Sequence, residues 1–209
     1  MANLITLLRF ILLFVLISFA YSSDPIIHIF CLPLVIVIFF SDAIDGYVAR
    51  KFNETSEFGA VFDIAIDRVV ENVLWIVLSD LDLIPVWIPI LFVTRGFLVD
   101  SIRAKAWAEG QTPFDMIKSQ VGTWLVAGRF MRAFYGAVKG VAFTSVLLMH
   151  ALPGSAPAFF ESWQTPLKAF TVVFVYLSVV LCIVRGIPVV LEFWLRFTAK
   201  SENVKAKLG

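Results

Sequence analysis

The chain has 209 residues; 60% are hydrophobic, 21 are Phe and only 16% are charged. A soluble domain of this size has too much surface to carry so much apolar content, so the composition is that of an integral membrane protein. A net charge of +1 gives no basic bias toward nucleic acid, and two cysteines in apolar runs, Cys31 and Cys182, build neither a disulfide framework nor a zinc site.

The opening stretch, MANLITLLRFILLFVLISFAY, has the apolar core of a signal peptide, but Arg9 interrupts its start and SFAYSSD offers no small-x-small cleavage site. It is read as a retained first membrane helix. A span needs about 20 mostly apolar residues. Six stretches qualify: 4–21, 26–49, 59–79, 84–106, 120–151 and 166–196. Breakers separate them at Asp24-Pro25, NETSEFG, SDLDLIP, AEGQTPFD and the stretch from Pro153 to Pro166. The expected architecture is all-α, a polytopic bundle of six transmembrane helices forming one domain over 1–209.

Loop charge orients this bundle. With the N-terminus inside, the cytoplasmic loops hold Arg50 and Lys51, then Arg103, Lys105 and Lys118, then Arg196, Lys200, Lys205 and Lys207. The opposite loops hold almost none, Lys168 excepted, so both termini are expected in the cytoplasm. His28 and His150 then fall at the far side as interfacial polar residues, and Trp87, Trp163 and Trp194 fit interface belts.

The second span ends in SDAIDGYVAR, and Asp63 and Asp67 follow in the third. On a helix Asp42 and Asp45 lie about 60° apart and Asp63 and Asp67 about 40° apart, so each pair shares a face. The short link 52–58 folds one helix back on the other and lets the pairs converge. Four carboxylates at a membrane edge repel one another and are costly to desolvate. Divalent cations remove both problems, and hard carboxylate oxygens suit Mg²⁺ or Mn²⁺. Gly46, Ala49 and Gly59 leave room for a ligand, and Arg50 adds a planar cation suited to a phosphate. The plainer account makes these helix-end charges, solvated or paired with Arg50, Lys51 and Arg68. Asp67, eight residues into its span, is too deep for that.

These residues resemble the signature of the CDP-alcohol phosphotransferase family, D-x2-D-G-x2-A-R-x8-G-x3-D-x3-D. Asp42, Asp45, Gly46, Ala49, Arg50, Gly59, Asp63 and Asp67 stand at that spacing without gap or substitution. The resemblance implies displacement of CMP from a CDP-linked donor, usually CDP-diacylglycerol, by an alcohol. It also implies one or two Mg²⁺ or Mn²⁺ ions on Asp42, Asp45 and Asp63, with Asp67 as ligand and base. Gly46, Ala49, Arg50 and Gly59 would line the cytidine diphosphate, and members suggest homodimers. A bacterial inner membrane, with the site on the cytoplasmic face, is the expected location.

The surroundings are similar to the phosphatidylglycerophosphate synthases, whose acceptor is glycerol 3-phosphate. NLITLLRF looks like their N-L-x-T-x-x-R opening, and SDAIDGYVARKFN and LIPVWIPILFVTRGFLVDSIRAKA like their second and fourth helices. A dianionic acceptor requires cations, and Arg95, Arg103, Arg132 and Lys139 are candidates for its phosphate; snorkelling to the surface is the plainer role, most of all for Arg103. The chain departs from those synthases at Ile64, Arg68, Arg95-Gly96 and Gly136-Ala137-Val138-Lys139-Gly140. Synthases for phosphatidylinositol or its phosphate, phosphatidylserine and cardiolipin carry the same signature, so inositol, inositol phosphate, serine and phosphatidylglycerol stay open as acceptors. Glu71, one turn past Asp67, is either a support for the site or a partner of Arg68, and Arg185 with Glu192 reads as a structural pair. A cation transporter is the rival from another class, but it predicts acids spread along a path and related halves. No internal repeat exists here.

Overall fold

A computed structural model describes the backbone of residues 2–52, 57–108 and 120–208, and side chains within these outside 2–3, 42–58, 60, 107–108, 120–121, 127, 196–197 and 199–208. Every regular element among the described residues is helical. The order is α1 (Ala2–Ala20), a 3-10 turn (Ile27–Phe30), α2 (Cys31–Phe52), α3 (Glu57–Asp80), α4 (Trp87–Ala108), α5 (Gln120–Ala127), α6 (Arg129–Ser155) and α7 (Pro157–Leu208). Among the described residues two stretches are long and apolar enough to cross a membrane, Arg129–Ser155 and Pro157–Leu195. Leu4 and Phe97, each 70% exposed, and many other large apolar side chains point outward. Lipid, rather than water, is the solvent such a surface fits.

The chain divides into two compact units, one of residues 1–89 with 138–176 and one of 90–137 with 177–209. In the first, α1 packs on α2 and α3. Leu13, Leu16, Cys31, Val35, Ile38, Leu74 and Trp75 are buried there. Phe143 of α6 joins them, its ring 4.3 Å from that of Trp75 and stacked on Phe39 at 5.6 Å. At one end of the unit, Gly154 lies against the chain at Pro25, where an added Cβ would come within 2.3 Å of the proline Cβ. Nearby, Tyr21 hydrogen-bonds Asp80, and His28 stacks on His150 with ring centroids 4.1 Å apart. Each imidazole Nε2 meets a backbone carbonyl at the end of α1, His28 that of Ser22 at 3.0 Å and His150 that of Ala20 at 3.1 Å. The sequence placed these histidines at an interface; folding makes them a pair.

In the second unit Val99, Ile102 and Ala106 of α4, Val126 of α5 and Val189 of α7 form a buried cluster flanked by Leu125 and Phe193. Gly186 lets the Arg95 stem pass close: an added Cβ would stand 3.1 Å from its Cγ and Nε. Arg185 is buried, donates from Nη2 to the Val126 carbonyl at 3.3 Å and lies 5.3 Å from the centroid of Tyr135. Those partners replace the expected Arg185–Glu192 pair.

Three boundaries differ from the sequence reading. The span 26–49 opens with the 3-10 turn before α2 begins. The span 120–151 is interrupted at Gly128. A Cβ there would sit 2.2 Å from the Trp124 carbonyl oxygen, so the close approach is one only glycine allows. The ladder still runs through, Gly128 N to Trp124 O and Arg132 N to Gly128 O at 3.1 Å each, so the hydrogen bonding continues across the interruption. The stretch from Pro153 to Pro166 was expected to break the chain and is mostly helix. Only Ala156 is unassigned, because Pro157 takes the first position of α7, where a missing N–H costs nothing.

The end of α3 shows what sets a boundary well. Asp82 has φ 56°, Leu83 N reaches Leu78 O and Asp82 N reaches Ser79 O, both at 3.0 Å. This is a Schellman cap with aspartate where glycine is the usual occupant. Asp82→Gly should therefore raise thermal stability, by about 0.5–1 kcal/mol, and Asp82→Val should lower it; melting of the detergent-purified variants checks both.

Candidate active site

The signature is carried by two consecutive helices, α2, which ends at Phe52, and α3, which begins at Glu57. Asp42, Asp45, Gly46, Ala49 and Arg50 lie on α2, with side chains outside the described residues. Gly59, Asp63 and Asp67 lie on α3. Asp63 and Asp67 are one turn apart on one face, with side chains 41% and 45% exposed. That leaves their carboxylates reachable from outside while their helix stays packed.

Both carboxylates turn to one cation. Arg9 of α1 forms an ion pair with Asp67 through Nη2 and stands 3.8 Å from Asp63 Oδ1 through Nη1. Arg9 itself is only 1% exposed, and Thr6, one turn before it, is 2% exposed. A guanidinium so enclosed is tolerable only because it is paired. A fork of fixed N–H donors suits two carboxylates better than a point charge does. The sequence reading used Arg9 to argue against a leader and as part of the NLITLLRF opening, and gave it no place in the site. The signal was present: an arginine inside an apolar helix implies a partner at depth.

A second polar group continues along α3. Glu71 receives Lys139 of α6 at 2.9 Å and Arg68 at 3.5 Å. The Lys139 and Glu71 side chains are each 13% exposed, so this pair is largely withdrawn from solvent. Glu71 thus takes one of the roles left open for it, partner of Arg68, and adds Lys139 as a second partner.

The other basic residues expected at the acceptor's phosphate belong to the second unit. Arg95 and Arg103 on α4 are half-buried and Arg132 on α6 is exposed. All three belong to the unit that holds the buried Arg185. Their guanidinium groups add positive charge there, which favours an anion.

Chemically, Asp63 and Asp67 offer hard oxygen donors at one turn's spacing, already organised around positive charge, and so fit a Mg²⁺- or Mn²⁺-type ion. Among the described residues no third carboxylate, histidine or cysteine joins them.

A family model, CDP-alcohol phosphatidyltransferase, matches residues 1–198. Among curated proteins, the chain is similar to a CDP-diacylglycerol--glycerol-3-phosphate 3-phosphatidyltransferase of Bacillus subtilis, 28% identical over 132 residues, 63% of this chain and 61% of that protein. A Rickettsia bellii protein of the same name is 32% identical over 104 residues, 48% of this chain and 56% of its own. An Arabidopsis thaliana CDP-diacylglycerol--inositol 3-phosphatidyltransferase 1 is 37% identical over 79 residues, 38% of this chain and 33% of its own. The chain therefore spans less than two thirds of the length of each. With the match running over residues 1–198 and the eight signature positions on two consecutive helices, the chain belongs to the CDP-alcohol phosphatidyltransferase family.

Proposed function

We propose that this protein is a phospholipid-synthesising enzyme that transfers the phosphatidyl group of CDP-diacylglycerol to glycerol 3-phosphate, releasing CMP and phosphatidylglycerophosphate. The observation that carries the reading is the unbroken eight-residue signature, two of whose aspartates, Asp63 and Asp67, share an accessible face of α3. Members of the family use divalent metal ions. We assign Asp42, Asp45, Asp63 and Asp67 to hold one or two of them, Mg²⁺ or Mn²⁺; once bound, they would neutralise the diphosphate and the departing phosphate of CMP.

The chain's own residues supply the rest. Gly46, Ala49 and Gly59 let the nucleotide approach the backbone, and Arg50 holds a phosphate oxygen. The acceptor's hydroxyl oxygen attacks the phosphorus next to diacylglycerol, and the P–O bond to CMP breaks with its electron pair. Asp67 takes the hydroxyl's proton. Arg95, Arg103 and Arg132 hold the acceptor's phosphate. Lys139 belongs with this set as well, because an ammonium with three donors can serve Glu71 and a phosphate oxygen together.

The proposed architecture is one domain of six spans, with α5 and α6 counted as a single span. Both termini and the site lie on the cytoplasmic side of a bacterial inner membrane, as the loop charges favour, and the enzyme works as a homodimer. The relatives named for glycerol 3-phosphate and the arginines of the second unit support the acceptor. Inositol or its phosphate is the second reading, favoured by the Arabidopsis relative.

Purified protein given CDP-diacylglycerol and a panel of labelled acceptors should form phosphatidylglycerophosphate with glycerol 3-phosphate; an inositol lipid instead would transfer the reading to its alternative. Asp67→Asn should lower turnover by about 10²–10⁴-fold while the protein stays monodisperse; wild-type rates would refute its role as base. Arg95→Ala should raise KM for glycerol 3-phosphate at least about tenfold, as loss of a charge-assisted phosphate contact implies, with KM for CDP-diacylglycerol little changed.

A further inference from the structure

Arg9 holds the same carboxylates that the metal is proposed to use. Its guanidinium pairs with Asp67 and lies 3.8 Å from Asp63 Oδ1, and it is 1% exposed, so it cannot retreat to water when a second cation arrives. An always-charged group fixed beside two metal ligands does two opposite things. It keeps like-charged carboxylates together without a metal, and it repels a divalent ion entering between them. We infer that Arg9 is a positioning residue that competes with the metal for Asp63 and Asp67, so that the resting site binds divalent ions weakly and fills only when an anion adds compensating charge. A diphosphate supplies that charge; it can share the positive field that Arg9 and the metal together create. The inference rests on Asp63 and Asp67 being metal ligands, as proposed above, and is independent of which alcohol is used.

Its geometry explains why the residue is arginine and buried. An exposed lysine could swing away and leave the carboxylates to the metal. A guanidinium enclosed by α1 and α3 stays, because losing its carboxylates would leave an uncompensated buried charge. The device acts through two carboxylates, not by touching substrate.

The test is Mn²⁺ affinity, read by electron paramagnetic resonance on purified full-length protein in nanodiscs without substrate. Arg9→Gln keeps length and a hydrogen-bond donor but removes the charge, and should tighten Mn²⁺ binding about tenfold or more, since like-charge repulsion is relieved. Arg9→Lys keeps the charge and should stay within about twofold of wild type. Adding CDP should tighten Mn²⁺ binding strongly in the wild type and less in Arg9→Gln. Unchanged or weaker Mn²⁺ binding in Arg9→Gln would overturn the inference and leave the metal assignment standing. Absence of Mn²⁺ binding in every form, with CDP present, would overturn both. If Arg9→Gln does not assemble, the wild type decides through its own Mn²⁺ binding. Affinity that rises about tenfold or more when CDP is added supports the inference, and affinity indifferent to CDP overturns it.

Discussion

The ion pairs of Arg9 with Asp67 and Asp63 are the constraint on which the rest of the first unit depends. Helix α1 is apolar almost throughout, and apolar helices in lipid have little reason to choose one neighbour over another. A buried guanidinium changes that, because its carboxylates are on one face of α3 and in one register. Such a pair adds little net stability, but breaking it by removing one partner costs about 3–5 kcal/mol. It therefore acts chiefly as a specifier. It sets the rotation of α1 about its axis and presents Leu13 and Leu16, both fully buried, to the core around Trp75.

That arrangement links remote parts of the chain. Arg9 stands more than fifty residues ahead of its partners Asp63 and Asp67 in the chain. An arginine carried unpaired to a bilayer centre would cost about 2.5–3.5 kcal/mol. The pairing that fixes the register of α1 therefore needs α3 in place, and the aspartates and the arginine are neutralised together. The Lys139–Glu71 pair repeats this dependence later in the chain, joining α6 to α3.

Much of the molecule is legible in the sequence, for a definable reason. Helix positions come from apolar run length, and α1, α3 and α4 begin and end near where hydropathy and the Asp24-Pro25 and SDLDLIP breakers place them. The eight signature residues are local in sequence, so their placement on α2 and α3 needs no knowledge of the fold. The misses are of another kind. Gly128 interrupts its helix where the backbone closes on the Trp124 carbonyl one turn back, while the apolar run passes through unchanged. Pro153 and Pro157 read as a loop because prolines usually stop helices; their positions near a helix end and at a helix start make them compatible with continuing. Arg9 and Glu71 needed partners from remote segments, which no spacing rule supplies.

The stacked His28 and His150 carry a practical consequence. They are the only two histidines in the chain, and they sit together where α1 ends, about three turns along from Arg9. Two imidazoles in face contact shift each other's ring resonances strongly, and motion of the turn at Ile27–Phe30 against α6 changes that contact. The molecule is thus born with a matched pair of magnetic probes at one end of a helix that grips the carboxylates near its middle. Whatever binds among those carboxylates, its mechanical echo can be listened for about three helical turns away, with no label attached.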